Sequence, residues 1–531
     1  MKLLPRSIPV FLLVLLFAIS ACGGAGTAVP ASTPLSGSST TEATGSSTSE
    51  EIVLRVGVSW LGGSLAPPAR FGPVDLGLGE TLFRLGDEYR VMPWLATRAQ
   101  NLDGKTWEIS LRQGVKFHNG AEMDAAAVKA SLERAFAEKP SVKDLLDTDT
   151  IEVKDRYTLT IVTNNPSPIL PNLLTPGETA IVDAAAAQTM GDAFNDKPIL
   201  TGPFKVERYL PGEELVAVRH EAYWGPRPFA DLLHVLNIRD NNSRILALQA
   251  GDIDIAAGIP AHGVVTLEAD PGLVVRHPAQ FQLNFMFLNT QRETMKDVRV
   301  RQAMAHAIDR AALVKGVMLG QAKPAVGPFP PTFLNCDQLQ GHPFDPEKGR
   351  ELLAAAGYED PNDDGLLEKN GQPLEITFLT YGKGGFLPPM AEAIQGMFKN
   401  VGIKANIRTV ERIDANLKEG DWDASMFNNN MVHTGDSYGT LFGFAKPGAY
   451  LNKSSYQNPQ LDRLLTKMFP LADPEERRKV ACEASQVLID DTPVIPILHQ
   501  NWDYGVSNAV TGFDNPYPYF LYIIDGGIGK R

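Results

Sequence analysis

The residue types that most often carry catalysis or hold metals are present in this chain, but few of them stand at the spacings such sites need. Nine histidines occur among the 531 residues, and none forms an HExxH pair or another zinc-ligand spacing. The GxSxG turn of the nucleophile-elbow hydrolases is absent. We therefore predict that the protein is not an enzyme and uses no cofactor and no structural metal.

The most metal-like string runs from Asp360 to Glu368 and matches the first half of a calcium loop, D-x-N-x-D-G. The bidentate Glu that closes such a loop at its twelfth position is missing, because that position is Gly371. We interpret the string as a turn-rich connector before a strand.

The first 22 residues have the pattern of an export signal. Two basic residues are followed by an apolar run at 8–19, which is too short to span a bilayer. Residues 19–22, Ile-Ser-Ala-Cys, resemble the bacterial lipobox, so we expect Cys22 to be lipidated and to anchor the protein to a membrane surface. The alternative is an ordinary secretory signal with an incidental cysteine. Residues 23–50 have almost no large apolar side chains and are expected to form a flexible linker.

Two further cysteines, Cys336 and Cys482, stand in the part of the chain that is expected to fold. A disulfide between them is one alternative in an oxidising compartment, but sequence does not place their Cα atoms within bridging distance. We expect two buried free thiols.

The charge balance excludes one class of partner. The chain carries 49 basic and 62 acidic residues, a formal net charge of −13, without a Lys/Arg-rich block in the mature part. Binding to nucleic acid rests on clustered basic side chains, so we expect no nucleic-acid partner. About 480 residues remain after the linker, which suits two or three domains rather than one core.

Strand and helix patterns alternate along the folded part. Residues 51–59 (EIVLRVGVS) alternate apolar and polar side chains, which is typical of a strand with one buried face. Pro346 and Pro474 each follow an Asp and precede a Glu, which predicts the start of a helix at both places. The patterns also predict one strand at 151–162 and one helix at 298–318. Together they indicate an α/β fold with mixed layers.

Five separated stretches resemble one family, the extracytoplasmic substrate-binding proteins of ABC importers, in the branch that carries oligopeptides, dipeptides and nickel. They include a strand, a turn and a helix around LRQGVKFHNG, and the pattern TGPF…PGE…YWG. The five stretches are 104–135, 201–228, 245–255, 297–310 and 344–358. The resemblance extends over nearly everything from residue 51 to the end.

The resemblance implies the two-lobed periplasmic-binding-protein fold, of type II and the large peptide-binding class, with mixed sheets, a hinge between the lobes and a ligand cleft. The expected first lobe is 51–280, with an inserted subdomain at about 90–200. The expected second lobe is 281–498, and 499–531 returns to the first lobe. Within this frame, Tyr223 and Trp224 are expected to be core residues whose polar tips are satisfied.

In the peptide-binding members of this family, an aspartate in a loop of the second lobe accepts the α-ammonium of the ligand, and Asp436 stands at that place. The alternative is that Asp436 only caps the turn before Tyr438. Arg70 is expected to receive a carboxylate. The full set of expected ligand-binding residues is Asp436, Tyr438, Asn428, Asn429, Asn430, Met431 and His433 from the second lobe, and Trp60, Arg70 and Phe71 from the first.

We expect the ligand to be an oligopeptide, a dipeptide or a related amine-bearing solute. The alternatives are a nickel chelate and other solutes. The metal-ligating histidine of the nickel branch has no counterpart in 446–449, and 174–181 contains no arginine to hold a chelator. His433 is left as a substitute metal ligand.

The resemblance also implies partners and a location. The protein is expected to be a monomer, outside the cytoplasm and lipid-anchored to the cell membrane, where it delivers a small solute to an ABC permease and ATPase complex. A ligand-sensing role with the same fold is an alternative. An exported hydrolase is a third, which the missing catalytic motifs disfavour.

Overall fold

The first strand, Val53–Val58, forms where apolar and polar residues alternate, and it lies at the centre of the largest sheet. In this computed structural model, which describes residues 51–68, 72–86, 89–278, 282–382, 385–514, 524 and 527–530, that strand is parallel to both of its neighbours. The export signal, Cys22, the linker, Arg70 and Phe71 lie outside the described residues. The seven strands of the sheet are, in spatial order, Leu273–Arg276, Asp503–Ser507, Ile255–Ile259, Val53–Val58, Leu232–Asn237, Glu214–Arg219 and Phe204–Leu210.

The chain passes from this sheet to a second one between Arg276 and Gln282, and it returns between Gln500 and Asp503. We call residues 282–500 the second lobe and the remaining described residues the first lobe. The limits predicted from sequence for the lobes and for the inserted subdomain stay predictions. The six strands of the second sheet are, in spatial order, Ala322–Pro324, Val494–Gln500, Gln282–Leu288, Ala424–Asn430, Glu375–Thr380 and Lys404–Thr409.

A third, antiparallel sheet of four strands is inserted in the first lobe. Its strands are, in spatial order, Ala96–Asn101, Thr106–Leu111, Thr158–Thr163 and Thr148–Asp155. The prediction of one strand at 151–162 was wrong, because the chain turns back on itself after Asp155. Three two-stranded pairs complete the strands: Phe83–Leu85 with Val91–Pro93, Glu368–Lys369 with Gln372–Pro373, and Val510–Thr511 with Gly529–Lys530.

Helices cover the sheets, and several begin where the sequence places a capping Asp. Asp345 accepts a hydrogen bond from Lys348 N at 2.9 Å, and Asp473 accepts one from Glu476 N at 2.8 Å. The helix predicted at 298–318 is two helices, because Asp309 caps a new one. The first-lobe helices are Gly72–Asp75, Ala125–Glu138, Pro140–Leu146, Leu170–Leu173, Ala184–Met190, Asn241–Ala250 and Ala261–Glu268, with 3₁₀ turns at Gly177–Thr179 and Gly191–Asn195. The second-lobe helices are Glu293–Lys296, Val298–Ala307, Arg310–Gly316, Pro346–Ala355, Leu387–Lys399, Ile413–Glu419, Ser437–Ala445, Pro459–Met468 and Pro474–Asp491.

The apolar core follows the sheets but not the lobes. One cluster lies on the seven-stranded sheet and includes Val56 and Tyr504. A larger one contains the six-stranded sheet, with Phe285 and Phe427, and also the inserted sheet, with Ile109. The inserted sheet of the first lobe therefore packs against the second lobe, and the two lobes are in contact in this structure.

Cys336 and Cys482 form a disulfide, with Cα atoms 5.7 Å apart. The prediction of two buried free thiols was therefore wrong, and both residues are only partly buried. The bond joins the segment after Phe333 to the helix Pro474–Asp491 across a sequence separation of 146 residues. A cross-link that closes a loop of this length limits the unfolded chain and so stabilises the fold.

We expect Cys336→Ser to lower the free energy of unfolding by about 4 kcal/mol, because the loop constraint on the unfolded chain is lost. The measurement is urea denaturation of the variant and of the wild type, each with and without reductant. Cys482→Ser is the matched control and should have the same effect, and reductant should change neither variant. Both thiols titrating as free in denatured, unreduced protein would contradict the disulfide.

The polar tips of Tyr223 and Trp224 are satisfied, as predicted, but the prediction that both are core residues was wrong, because both are only partly buried. The Tyr223 hydroxyl donates to Glu80 Oε1 at 2.9 Å, and Trp224 Nε1 donates to Glu80 Oε2 at 2.9 Å. Glu80 is fully buried. Burial raises the pKa of Glu80 to about 7, against the opposing effect of these hydrogen bonds.

Because the pKa of Glu80 is raised on folding, its contribution to stability is complete below its unfolded value and is lost as pH rises through about 7. We expect Glu80→Gln to reduce the loss of unfolding free energy between pH 5 and pH 8 by roughly 3 kcal/mol. Urea denaturation at four pH values in this range measures it. Glu133→Gln, at an exposed position, is the control. An unchanged pH dependence in Glu80→Gln would show that Glu80 is ionised throughout.

Candidate functional site

The strand Ala424–Asn430 brings three predicted site residues to the place where the chain crosses between the lobes. Asn430 is paired across the sheet with Gln282, the first residue after one crossing. Gln282 is also paired with Gln500, the last residue before the other crossing. Side chains directly opposite one another share a face of a sheet, so these three project together.

Buried amides on this face form a continuous chain of hydrogen bonds, which we call the amide ladder (Gln282, Asn284, Asn428 and Gln500). Asn428 Nδ2 donates to Asn284 Oδ1 at 2.7 Å, and Asn284 Nδ2 donates to Gln500 Oε1 at 2.6 Å. Gln500 Nε2 donates to Gln282 Oε1 at 3.1 Å. Sequence reasoning found Asn428 but missed the other three, although Gln and Asn at alternate positions of an apolar strand were a signal.

The amide ladder has unused hydrogen-bonding capacity. Asn428 Oδ1 and Gln282 Nε2 are buried and have no hydrogen-bond partner among the described residues, and the same is true of Asn430 Nδ2. Each unpaired buried amide atom is costly unless something else satisfies it. The ladder can therefore donate to a bound polar group and accept from it.

The other predicted residues of this strand have different surroundings. Asn429 is partly buried on the opposite face, and its Nδ2 donates to the main-chain oxygen of Asn430 at 3.1 Å. Met431 is fully buried, and its main-chain oxygen accepts from Thr440 Oγ1 at 2.7 Å. Met431 therefore packs inside the second lobe.

Asp436 has two sets of partners within its own lobe. It caps the helix Ser437–Ala445 by accepting from Tyr438 N at 2.7 Å, which agrees with the capping alternative. It also accepts from Arg477 Nη2 at 2.7 Å and from Arg477 Nε at 3.2 Å. The Arg477 side chain is 7% exposed, so this is a largely buried, two-point ion pair. The role of Asp436 toward a ligand stays a prediction.

Tyr438 lies in an aromatic cluster. Its ring centroid is 4.9 Å from that of Phe469 and 5.8 Å from that of Phe442. Burial raises the pKa of the Tyr438 hydroxyl, and the charge of Asp147 in the first lobe adds to the effect. Tyr438 therefore lies near the contact between the lobes.

We expect Asp436→Ala to lower the free energy of unfolding by about 3 kcal/mol, because it leaves the Arg477 guanidinium buried without a counter-charge. Urea denaturation measures the change. Asp462→Ala removes an exposed partner of Lys446 and is the control, expected to cost below about 1 kcal/mol. Loss of a bound solute from Asp436→Ala at unchanged stability would instead favour the predicted ammonium-binding role.

The loop after Met431 touches the first lobe directly. Asn172 Nδ2 donates to the main-chain oxygen of Thr434 at 3.1 Å. Gly435 has a φ of +65°, and a Cβ on it would lie 2.6 Å from the Tyr89 oxygen and 2.7 Å from Leu85 Cδ2. Only glycine fits this conformation and this approach. The loop is therefore one side of the boundary between the lobes.

Two carboxylates of the first lobe lie near this boundary, and sequence reasoning missed both. Glu178, in the 3₁₀ turn Gly177–Thr179, interacts electrostatically with His433 of the loop. Burial lowers the pKa of His433, while Glu178 acts in the opposite direction. Asp75 ends the helix Gly72–Asp75 and is 2% exposed. Burial, and then repulsion from Glu178, raise the pKa of Asp75 well above its usual value.

Trp60, predicted for the first-lobe side, lies beside the helix that carries Asp75. A Cβ on Gly72 would be 3.2 Å from Cζ3 of the Trp60 ring. Trp60 is partly buried and packs against the core of the seven-stranded sheet. The structure thus brings Trp60 near Asp75, His433 near Glu178, and the asparagines near the crossing strands.

Across the described ranges there is no group of three or more His, Cys, Asp or Glu side chains that could hold a metal ion. In the Asp360–Glu368 string, the Asp360 carboxylate accepts from Gly365 N at 2.9 Å, and that of Asp364 accepts from Leu366 N at 2.8 Å. Among all the residues that the structure describes, no helix has the length and hydropathy of a membrane span.

Comparison with known proteins places the chain in a family of solute-binding proteins. The family model for bacterial extracellular solute-binding proteins, family 5 (middle), matches residues 90–451. The chain is 28% identical over 465 residues to the nickel-binding protein NikA of Staphylococcus aureus, covering 87% of this chain and 91% of NikA. It is 29% identical over 428 residues to the glutathione-binding protein GsiB of Salmonella paratyphi A, covering 77% and 81%.

Two solved structures have the same fold. NikA from Staphylococcus aureus in complex with Ni(L-His)2 superposes with a TM-score of 0.82 at 26% identity, over 90% of this chain and 100% of NikA. The oligopeptide-binding protein AppA from Bacillus subtilis, in complex with a nonapeptide, superposes with a TM-score of 0.81 at 22% identity, over 91% and 99%. The fold is thus the two-lobed α/β fold that the resemblance implied.

Proposed function

Because the chain belongs to the bacterial extracellular solute-binding proteins of family 5, we propose that it captures a short peptide between its two lobes and delivers it to an ABC importer. The observation that carries the proposal is the amide ladder, with its unpartnered donor and acceptor, beside the unpartnered amide of Asn430 at the crossing between the lobes. A peptide main chain offers alternating N–H and C=O groups, which can pair with such amides. The similarity to a glutathione-binding protein supports the same ligand class, because glutathione is itself a tripeptide.

The polar groups near the boundary suit both ends of a zwitterion. Asp75 and Glu178 provide buried carboxyl groups on the first-lobe side. Arg70, outside the described residues, is the proposed partner for a carboxylate. The proposed contacts from the second lobe are those of Asn428, Asn430 and His433, and the proposed contacts from the first lobe are Trp60 and Phe71.

Ligand binding can drive closure of the two lobes without any chemical reaction. A solute that contacts both lobes stabilises the state in which Thr434 and Asn172 are bonded, and thereby shifts the population toward closure. The importer then distinguishes the closed form from the open one. We propose that the protein acts outside the cytoplasm, as a monomer anchored through Cys22, and that it catalyses no reaction. A sensor that recognises closure would use the same equilibrium.

A nickel chelate is the second candidate ligand, which the similarity to NikA favours. His433 is a histidine beside the lobe boundary, and burial keeps its imidazole neutral, the form that binds metals. With no metal-holding group of side chains among the described residues, a nickel ion here would bring most of its ligands with it.

The solutes that the purified protein carries distinguish a peptide ligand from a nickel chelate. We expect the full chain, purified with detergent and without chelators and then denatured, to release short peptides detected by mass spectrometry. We expect peptides because the main-chain amides of a peptide can satisfy the unpartnered atoms of the amide ladder. Asn428→Leu should release at least tenfold less, and Asn406→Leu, on an edge strand of the same sheet, should release as much as the wild type. A nickel-bearing chelate as the main released solute would overturn the peptide proposal.

A further inference from the structure

Asp75 differs from the other buried carboxylates of the protein. In the part of the chain that the structure describes, five carboxylates are almost fully buried: Asp75, Glu80, Asp254, Asp423 and Asp503. Four of them have donors. Glu80 accepts from Tyr223 and Trp224, Asp254 from Arg55 N and Lys530, Asp423 from Thr377 N and Thr294, and Asp503 from His277.

The Asp75 carboxylate, by contrast, has no hydrogen-bond donor among the described residues, although the residue is 2% exposed. A carboxylate that serves the fold is normally paired when it is buried. Among the described residues, the charge that acts on Asp75 is that of a second carboxylate, Glu178, which repels it. The fold therefore holds Asp75 in a place that is unfavourable for it.

Only one of the two carboxylate oxygens of Glu178 has a hydrogen-bond donor among the described residues. Its Oε1 accepts from Lys139 Nζ at 3.2 Å, while its Oε2 is buried and has no hydrogen-bond partner among the described residues. The helix Gly72–Asp75 packs against the 3₁₀ turn Gly177–Thr179, which brings the two acids together. The pair thus has buried acceptor capacity and excess negative charge.

The pair lies beside the boundary between the lobes. Glu178 acts on His433 in the second-lobe loop, and the Asp75 helix lies beside Trp60. Asp436, the aspartate that the sequence suggested for an ammonium, is already bound by Arg477. A buried carboxylate without a donor, beside a second carboxylate with one unpartnered oxygen, favours an incoming cation.

We infer that Asp75 and Glu178 together receive the cationic group of the bound solute, an ammonium or a guanidinium, and that Asp75 selects for solutes that carry one. The inference rests on the proposed function, since it places this cation on the solute that the lobes enclose. An organic cation fits better than a metal ion, because the pair has no third acidic, histidine or cysteine ligand within the described residues.

The test uses the full chain purified in detergent as wild type, Asp75→Asn and Asp254→Asn. Released solutes are identified by mass spectrometry after amine labelling, and dissociation constants are measured for alanyl-phenylalanine, N-acetyl-alanyl-phenylalanine, glutathione, arginine and spermidine. We expect Asp75→Asn to weaken binding of the cationic probes at least 100-fold while leaving the N-acetylated peptide unchanged. The wild type should release solutes with amine or guanidinium groups, and Asp75→Asn at most a tenth as much.

Thermal unfolding of the empty proteins at pH 8 separates a ligand-binding role from a structural one. Asp75→Asn should raise the melting temperature by a few degrees, because it removes an unpaired buried charge. Asp254→Asn, which removes a paired carboxylate, should lower the melting temperature and leave the dissociation constants unchanged. A fall in melting temperature for Asp75→Asn without a change in affinity would overturn the inference.

The outcomes distinguish this inference from the proposed function. Peptides held equally by the wild type and Asp75→Asn would support the peptide importer and overturn the cation role. Non-peptide cations lost from Asp75→Asn would support the cation role and overturn the peptide proposal. A wild type that releases no cationic solute and binds none of the cationic probes would overturn the inference.

Discussion

The chain crosses between its two lobes on strands that are hydrogen-bonded neighbours, and the rest of the structure depends on this pairing. Gln282–Leu288 and Val494–Gln500 lie side by side in the six-stranded sheet. Both crossings therefore leave the second lobe at one place, where Gln282 and Gln500 are paired. A change in the angle between the lobes has to pass through the few residues next to that pair, which is the geometry of a hinge.

The same arrangement explains why polar groups lie inside the protein. Strands buried on both faces are usually continuous in apolar residues, and Phe285, Met286 and Phe287 follow that rule. Toward the crossing, the apolar side chains give way to amides with unmade hydrogen bonds. In the first lobe, Asp75 is buried without a donor among the described residues, and one oxygen of Glu178 is unpartnered. Unpaired buried polar groups lower the stability of the fold, and here they are concentrated near the crossing between the lobes. Such locally destabilising groups are common at binding sites.

Much of the fold was predictable from sequence because its signals are local. The strand Val53–Val58 follows from alternation, and the helices at Pro346 and Pro474 follow from caps. The strand Val494–Gln500 was missed, since it is buried on both faces and contains Pro496. The helix Ser437–Ala445 was missed because its glycines and threonine have low helix propensity and tertiary packing overrides them.

The candidate site was less predictable, because the role of each side chain depends on contacts with residues that are distant in sequence. Asp436 was found from the sequence, but nothing in the sequence shows that Arg477, 41 positions later, binds it. Asp75 has no distinguishing neighbours in GPVDLGLGE, and its burial without a donor among the described residues appears only once the chain is folded. The disulfide was missed for the same reason.

The helix Pro474–Asp491 gives the second lobe a rigid contact surface. Through Arg477 it holds the turn that follows Thr434, and through Cys482 it is covalently tied to the segment that carries Phe333. Phe333 in turn meets Tyr89 of the first lobe, with ring centroids 6.2 Å apart. Both contacts are therefore tied to the same helix, and we expect them to break together when the lobes part. One helix thus connects two separate contacts at the boundary between the lobes, so a change at either contact is transmitted to the other through its backbone.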